Sequence, residues 1–321
     1  MANLETYDLV VDIGGTNTRV ALAREGQIVD ASIKRYRNAD HAGLDLVLRA
    51  YLAQAGGVAI GGACVAVAGP VAVDGASAAM TNLEWEIRTE TIRSATGAAR
   101  VALLNDLQAQ GHAIGHLPES SVRVLFQGRP APARASALVV GVGTGFNAAP
   151  VHETAHGRIV LPSECGHVTL PAVTEDDIAL LRHIEEKHVF ASVEHALSGR
   201  GFERIHAYVT GKTEIEDDAA TIMAALEAGD ANARRTGRIF SRVLGMVVGD
   251  LALTHLPFGG IFLCGGVARA FAPWLEGFGF RSAFTDKGRF AGFMEQFSIA
   301  TIEDDYAALT GSARFLHGMS H

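Results

Sequence analysis

Residues 10–22 read "VVDIGGTNTRVAL", an apolar run interrupted by an aspartate and two adjacent glycines. The apolar residues 9–11 and 20–22 predict two strands joined by a tight turn, because adjacent glycines supply the backbone freedom that a hairpin needs. A turn alone does not account for Asp12, since a carboxylate near a sheet core needs a charged or metal-bound partner. Hydroxyl and amide side chains follow the glycines, where backbone N–H groups can face an anion. The stretch therefore predicts a phosphate-binding loop between two strands.

A second stretch repeats this order. Residues 139–151 read "VVGVGTGFNAAPV", again a β run, a glycine-rich turn with a threonine at Thr144, and a returning strand. The shared order favours a duplicated phosphate loop over chance agreement. Neither copy is a Walker A loop or opens a helix in the Rossmann manner.

Composition narrows the class of protein. The chain has 321 residues, 48% of them hydrophobic, enough for one large or two ordinary globular domains. Its net charge of −8 and lack of a long basic run argue against nucleic-acid binding. The N-terminus has no apolar signal segment, and no apolar stretch reaches the roughly 20 residues of a membrane span, so we expect a cytoplasmic protein. Three widely spaced cysteines indicate reduced thiols.

Strand and helix patterns alternate along the chain, which predicts an α/β fold. The predicted elements are strands at 27–34, 63–67, 101–104, 159–161 and 261–266, and helices at 42–54, near Glu90, after a capping box at Thr174, at 192–199 and at 231–256. No low-complexity linker separates domains. The duplication places a boundary near residue 110.

Two short motifs imitate metal sites. The stretch "HETAH" at 152–156 matches the HExxH zinc pattern, which needs a helix to bring both histidines to one face. It follows a proline and precedes a glycine between two strands, so a hairpin turn is predicted and a metalloprotease is rejected. The stretch "PSECGH" places Glu164 three residues before His167, but proline and glycine predict a loop there. Hydrogen-bonding side chains in a loop account for it better than a metal site.

Two acidic positions remain ambiguous from the residues alone. Asn105 and Asp106 follow an apolar strand, where α/β sheets place ligand-binding groups. From this position alone, a helix N-cap is the better interpretation of Asp106. Glu194 has the same alternative, because acidic residues favour helix N-termini.

Separate stretches nevertheless agree with one family. The chain resembles the bacterial glucokinases of the actin-like, hexokinase-like ATPase superfamily in "DIGGTN" (12–17), "MTN" (80–82), "NDL" (105–107), "GTG" (143–145), "PSECGH" (162–167), "EHALSGRG" (194–201), "GGIFLCGG" (259–266) and "FTDKGRF" (284–290). The resemblance implies a two-domain α/β fold of the actin-like ATPase (ribonuclease H-like) type with an interdomain cleft. It implies a small domain of residues 1–110 plus 305–321 and a large domain of residues 111–304.

The same resemblance implies the chemistry, which is transfer of the γ-phosphoryl group of ATP to the 6-hydroxyl of glucose. Asp106 matches the general base. The sugar ligands matched are Asn105, Asp106, Glu164, His167 and Glu194. The nucleotide-binding positions matched are Asp12, Ile13, Gly14, Gly15, Thr16, Asn17, Thr144, Gly145, Gly265 and Gly266. Asp12 is expected to hold Mg²⁺ through water, and a homodimer is expected.

Two departures from the family pattern stand out. Phe146-Asn147 replaces a small or aliphatic residue followed by glycine, which puts nucleotide affinity in question, and Cys165 replaces a common glycine beside Glu164. The thiol predicts alkylation sensitivity that glucose would reduce. The zinc-binding cysteines of the related repressor family are missing, which argues against a repressor. Two alternatives stay open, namely a kinase for another hexose or amino sugar and a non-catalytic ATP-binding module.

Overall fold

A computed structural model describes residues 5–80 and 83–319. Thr81 and Asn82 of the "MTN" motif lie outside the described residues, as do both chain ends. The described part forms two compact units. Of the described residues, the first unit contains 5–80, 83–118, 154–162 and 304–319, and the second contains 119–153 and 163–303.

Strands and helices alternate through both units. The strands are β1 Thr6–Ile13, β2 Asn17–Arg24, β3 Gln27–Ile28, β4 Lys34–Arg37, β5 Ala59–Val67, β6 Ser77–Ala78, β7 Ile87–Arg88, β8 Arg100–Asn105, β9 Val122–Phe126, β10 Ala137–Val142, β11 Phe146–Thr154, β12 Gly157–Val160, β13 Ile261–Cys264 and β14 Ile299–Ile302. The helices are α1 Leu44–Gln54, α2 Thr89–Thr96, α3 Asp106–Ala113, α4 Glu175–Glu185, α5 Val193–Ala196, α6 Gly199–Thr210, α7 Ala219–Glu227, α8 Ala231–His255, α9 Gly266–Phe271, α10 Phe280–Thr285, α11 Ala291–Met294 and α12 Ala307–Gly318.

The first unit is built on a sheet with the order β3-β2-β1-β5-β8, and β4 also pairs with β2. Strands β1 and β2 form an antiparallel hairpin, whereas β1, β5 and β8 run parallel. Alternate residues of β1 face opposite sides of this sheet, as the two-residue period of a strand requires. Leu9 and Val11 pack in the core cluster that contains α1 and α2 residues, while Val10 packs in the cluster with α12 residues.

The second unit repeats the same strand order. Strands β10 and β11 form an antiparallel hairpin, and β10, β13 and β14 run parallel, with β9 antiparallel at the edge. One large apolar cluster packs the long helix α8 with residues of α6 and α10. The repeat of strand, glycine turn and strand seen in the sequence is therefore confirmed as two hairpins, each leading into parallel strands.

Most predicted elements are confirmed, and two are wrong in part. The single strand predicted at 27–34 is two short strands separated by a 3₁₀ turn at Asp30–Ser32, where the Ser32 hydroxyl bonds to the backbone of β2. The helix predicted at 192–199 ends at Ala196, and Ser198 caps a second helix, α6, that the sequence did not predict. Among the described residues, no helix combines the length and apolarity needed to cross a bilayer.

Candidate active site

The first glycine loop lies between β1 and β2, with Asp12 next to the last residue of β1. Asp12 is 9% exposed and pairs across the hairpin with Arg19, whose Nη1 lies 2.9 Å from Asp12 Oδ2. Burial raises the pKa of the Asp12 carboxyl, and the Arg19 charge opposes that rise. Arg19 also lies over the Tyr306 ring, 5.9 Å from its centroid. The buried carboxylate therefore has the charged partner that its position demanded.

Asn38, which the sequence did not single out, holds this loop in shape. Its side chain is 2% exposed; Nδ2 donates to the Gly14 carbonyl at 2.8 Å, and Oδ1 accepts from the Thr18 hydroxyl at 2.8 Å. The Asn38 backbone N–H donates to the Thr16 carbonyl at 2.9 Å. Because three bonds tie the loop to Asn38, the shape of the loop is fixed from one side.

The backbone N–H groups of the same loop are available on its other side. Within the described part of the chain, the N–H groups of Gly15 and Thr16 donate to no protein acceptor, whereas the Gly14 N–H bonds to the Asn17 carbonyl. Consecutive free N–H groups in a glycine turn are suited to an anion. The local geometry is thus compatible with the phosphate-binding role expected for residues 12–17.

Asn105 and Asp106 lie where β8 passes into α3. Asn105, not Asp106, is the N-cap: its Oδ1 accepts from the Leu107 N–H at 2.9 Å, and its Nδ2 donates to the Gly69 carbonyl at 3.2 Å. Asp106 is the first helical residue, and its Oδ1 accepts from the same Leu107 N–H at 2.9 Å. The N-cap interpretation therefore belongs to Asn105, and both side chains are held in defined orientations.

Strand register brings these residues to the edge of the sheet that carries the first glycine loop. Ile13 is level with Val67 on β5, and Val67 is level with Asn105 on β8. Two strand spacings separate Ile13 from Asn105, which corresponds to about 10 Å. The structure of the first unit thus places Asp12, the glycine loop and Asp106 at the carboxyl ends of neighbouring parallel strands, where α/β sheets bind ligands.

Helix α3 is held by two elements of its own unit. Arg158 on β12 donates to the carbonyls of Gly111, His112 and Ile114 at the C-terminal end of α3, with distances of 2.6–3.0 Å. Helix α12 crosses so closely that a Cβ on Gly311 would lie 1.7 Å from the Ala109 carbonyl oxygen. The orientation of Asp106 therefore depends on packing at residues far from it in sequence.

In the second unit, the second glycine loop contacts Glu194. The Phe146 N–H donates to Glu194 Oε2 at 2.9 Å. A Cβ at Gly145 would lie 2.5 Å from the same oxygen, so a larger residue there would displace the Glu194 carboxylate. Thr144 is exposed between the two glycines. Glu194 lies in the short helix α5, which Ser192 caps, so the structure places a predicted sugar ligand against a predicted nucleotide loop.

Glu164 and His167 lie in the loop after β12, at the 3₁₀ turn Cys165–His167. Their side chains are 63% and 61% exposed, and His167 Nε2 lies 4.0 Å from Glu164 Oε2. Asn147 Nδ2 donates to Glu164 Oε2 at 3.2 Å. Asn147, one of the departures from the family pattern, therefore contacts the loop that carries the predicted sugar ligands Glu164 and His167. The sequence could not indicate this contact.

Gly265 and Gly266 follow β13, which is the parallel neighbour of β10. Gly141 is level with Cys264, so the second glycine loop and Gly265 leave adjacent strands at one edge. Gly265 has φ 100, and a Cβ there would lie 2.4 Å from the Val142 carbonyl oxygen. A glycine is therefore required at this turn.

The two metal-like motifs have the predicted conformations, a hairpin turn at residues 152–156 and a loop at residues 162–167. His152 lies in strand β11, and His156 lies in the turn before β12, so "HETAH" is a hairpin and not a zinc-binding helix. No cluster of three or more histidine, cysteine, aspartate or glutamate side chains suited to a metal occurs within residues 5–80 and 83–319.

A cavity of about 190 Å³ in the first unit lies elsewhere. Trp85, Arg88 and the start of α1 line it, and none of the predicted site residues is among its described lining residues. It supplies no group that the expected chemistry needs.

Comparison with known proteins identifies the family. The family model described as Glucokinase matches residues 9–319. A glucokinase from Marinobacter nauticus is 33% identical over 316 residues, covering 97% of this chain and 98% of that protein. The crystal structure of a glucokinase from an Antarctic psychrotroph superposes with a TM-score of 0.85 at 31% identity, covering 97% of this chain and 98% of that one. The glucokinase of Balamuthia mandrillaris, solved in complex with glucose, has the same fold, with a TM-score of 0.78 at 21% identity and coverage of 97% and 93%.

The fold prediction is confirmed by these structural neighbours, which have the two-domain actin-like ATPase fold. Since the family model and the relatives extend over nearly the whole chain, the chain belongs to the glucokinase family, whose members phosphorylate glucose with ATP.

Proposed function

We propose that this chain transfers the γ-phosphoryl group of ATP to the 6-hydroxyl of glucose, with Asp106 as the general base. The observation that carries the proposal is the register of the first sheet, which puts Asp106 at the same edge as the glycine loop with free N–H groups. Phosphoryl transfer needs an oriented base and a neutralised phosphate rather than a covalent enzyme intermediate.

Asp106 takes the proton in this mechanism. The Leu107 N–H donates to its Oδ1, and we propose its carboxylate as the acceptor of the 6-hydroxyl proton. As the proton moves, the hydroxyl oxygen forms a bond to the γ-phosphorus and the bond from that phosphorus to the bridging oxygen of ADP breaks. Asn105 keeps a second Nδ2 hydrogen and a second Oδ1 lone pair for a sugar hydroxyl, because Nδ2 uses one hydrogen for the Gly69 carbonyl and Oδ1 uses one lone pair for the Leu107 N–H.

Three further side chains are proposed as sugar ligands. Glu164, His167 and Glu194 present acceptors and an imidazole that suit hydroxyls, each of which can donate and accept. Glu194 Oε2 is already engaged by the Phe146 N–H, so Oε1 is the oxygen left for sugar. Binding of glucose at Glu194 would therefore affect the position of the loop Thr144-Gly145.

The nucleotide is assigned to the two glycine loops and to Gly265-Gly266. In the first loop, Gly15 and Thr16 supply N–H groups to phosphate oxygens, while Asn38 holds the loop carbonyls. Mg²⁺ usually binds one or two carboxylates together with water and substrate phosphates. Asp12 fits this pattern, because Oδ2 pairs with Arg19 and Oδ1 accepts no bond within the described residues. When bound there through water, the ion would neutralise phosphate charge.

The test is Asp106→Asn, which keeps the shape of the side chain and removes the base. We expect kcat to fall about 10²- to 10⁴-fold while the dissociation constant of ATP changes little. Asp45→Asn is the matched control, since Asp45 lies in the first turn of α1 in the same unit. The control should retain parental turnover, and parental turnover of the Asp106 variant would remove Asp106 from the mechanism.

Two further measurements address the alternatives. A panel of hexoses and amino sugars compared by kcat/KM separates a glucose kinase from a kinase for another sugar. Coupled detection of ADP with and without glucose separates an enzyme from a non-catalytic ATP-binding module. The expected homodimer rests on the family resemblance, and sedimentation equilibrium tests it.

A further inference from the structure

The two departures from the family pattern meet in the structure. Asn147 and Cys165 are 18 residues apart in the chain, yet the Cys165 N–H donates to Asn147 Oδ1 at 3.2 Å and Cys165 Sγ lies 3.5 Å from the same oxygen. The Ser163 hydroxyl is 3.1 Å from Asn147 Oδ1 and 2.6 Å from the Ala148 carbonyl. One side chain on β11 therefore contacts three consecutive residues of the loop at 163–165.

The orientation of the Asn147 amide follows from its partners. The Cys165 N–H can only donate, so the oxygen must face it. The nitrogen then faces the Ser163 carbonyl and the Glu164 carboxylate, both of which can only accept. In this orientation each donor faces an acceptor. The reversed amide would place donor against donor and acceptor against acceptor.

We propose that Asn147 is a positioning residue that orients the Glu164 carboxylate for the sugar and thereby sets the affinity of the enzyme for hexoses. The inference rests on the proposed function, in which Glu164 binds a sugar hydroxyl. It also reassigns the sequence departure at Asn147, which suggested an effect on nucleotide affinity, to the sugar side of the reaction.

The physical reason is preorganisation. The Glu164 side chain is 63% exposed and would otherwise sample several rotamers, whose loss on binding weakens affinity. The Asn147 Nδ2 bond restrains Oε2 before sugar arrives, and the Oδ1 bonds restrain the backbone that carries Glu164. A glycine at residue 147 would supply neither restraint.

The first experiment compares Asn147→Gly and Asn147→Asp with the parent enzyme. A hydrogen bond to a charged group contributes enough that losing it should raise the KM for glucose about tenfold in the glycine variant. We expect kcat and the KM for ATP to stay within about twofold, because the interaction orients a ligand of the sugar only. Asn232→Gly, an exposed change in helix α8 of the same unit, controls for a general loss of stability.

The Asn147→Asp variant separates orientation of Glu164 from simple support of the loop. The introduced carboxylate would keep an acceptor for the Cys165 N–H but would place a second negative charge beside Glu164 Oε2. If Asn147 only supports the loop, Asn147→Asp, which loses the donor to the Ser163 carbonyl but keeps the acceptor for the Cys165 N–H, should be milder than Asn147→Gly, which loses both. If it orients Glu164, the KM for glucose should rise at least as much as in the glycine variant, since like charges repel.

A second readout does not depend on turnover. Removing the Asn147 side chain uncovers the Cys165 thiol and takes away its acceptor, so alkylation of Cys165 by iodoacetamide, followed by mass spectrometry, should be several-fold faster in Asn147→Gly. A parental KM for glucose in both Asn147 variants would overturn the inference while leaving the proposed function intact. Absence of glucose-dependent ADP release in the parent enzyme would instead refute the proposed function itself.

Discussion

Asn38→Ala is the most direct probe of how this chain shapes its first phosphate loop. The substitution removes the bond from Nδ2 to the Gly14 carbonyl and the bond from the Thr18 hydroxyl to Oδ1. It leaves the backbone bond from Asn38 to Thr16 in place. Asn38 and Thr18 are 2% and 0% exposed, so water does not readily replace the lost partners.

The magnitude follows from those two orphaned groups. A buried polar group left without a partner costs about 1–3 kcal/mol. Thr18 can rotate its hydroxyl, so its cost lies at the lower end of this range. The Gly14 carbonyl is fixed, so its cost lies in the middle. The sum is about 2–3 kcal/mol of the free energy of unfolding of the first unit. If half of this free energy is needed to order the loop when ATP binds, the dissociation constant of ATP rises about tenfold.

The two tryptophans make the stability assay specific to one unit. Trp85 lies in the first unit and Trp274 in the second, so a Trp274→Phe background leaves Trp85 as the only tryptophan. Urea unfolding followed by Trp85 fluorescence then reports the first unit. The KM values for ATP and glucose are measured in the same background, and we expect the KM for glucose to change less than about twofold.

Thr18→Val is the matched comparison, because it removes only the hydroxyl bond and keeps the shape of the side chain. It should lower the free energy of unfolding by about 1 kcal/mol, clearly less than Asn38→Ala. Parental stability and parental ATP affinity in Asn38→Ala would refute the assignment of this residue as the support of the loop.

Three further predictions concern packing, acid stability and thiol chemistry. Gly311→Ala should destabilise the first unit by about 1–3 kcal/mol and lower kcat, because the introduced Cβ would lie 1.7 Å from the Ala109 carbonyl oxygen and push α3 away. A parental Tm in this variant would contradict the prediction. Burial would raise the pKa of Asp177, but the hydrogen bonds from Arg242, Thr174 and Val173 together outweigh burial and lower the pKa to about 2. The stability that Asp177 contributes is therefore full above about pH 4 and is lost as pH falls toward 2. Asp177→Asn should therefore be about 2 kcal/mol less stable at pH 7 and equal to the parent below about pH 2 in urea titrations. Burial raises the pKa of the Cys165 thiol, so iodoacetamide should alkylate Cys165 slowly at pH 7 and about tenfold faster for each unit that the pH is raised. Glucose should slow this alkylation. Full modification of Cys165 without loss of activity would refute the placement of Cys165 beside the sugar site.

Local pattern determined the elements that carry the site. The glycine turns flanked by apolar runs predicted both hairpins, and the capping box at Thr174 predicted the start of α4. These signals act over a few residues, since turn geometry and helix caps are set by neighbouring backbone groups. The break at Asp30–Ser32 was missed because a bond between this turn and another strand does not show in a local pattern.

Motif order along the chain determined the family and the proposed roles of Asp12, Asp106, Glu164, His167 and Glu194. Only the tertiary structure revealed the residues that hold them, which are Arg19 on Asp12, Asn38 on the first glycine loop and Asn147 on the Glu164 loop. Arg19 could have been found from hairpin register. Asn38 and Asn147 could not, because they reach partners 24 and 17 residues away whose positions depend on how strands pair and loops fold back. The sequence by itself determined which chemical groups follow each strand, and tertiary packing decided which polar side chains lock those groups in place, because buried hydrogen bonds are chosen by proximity in space.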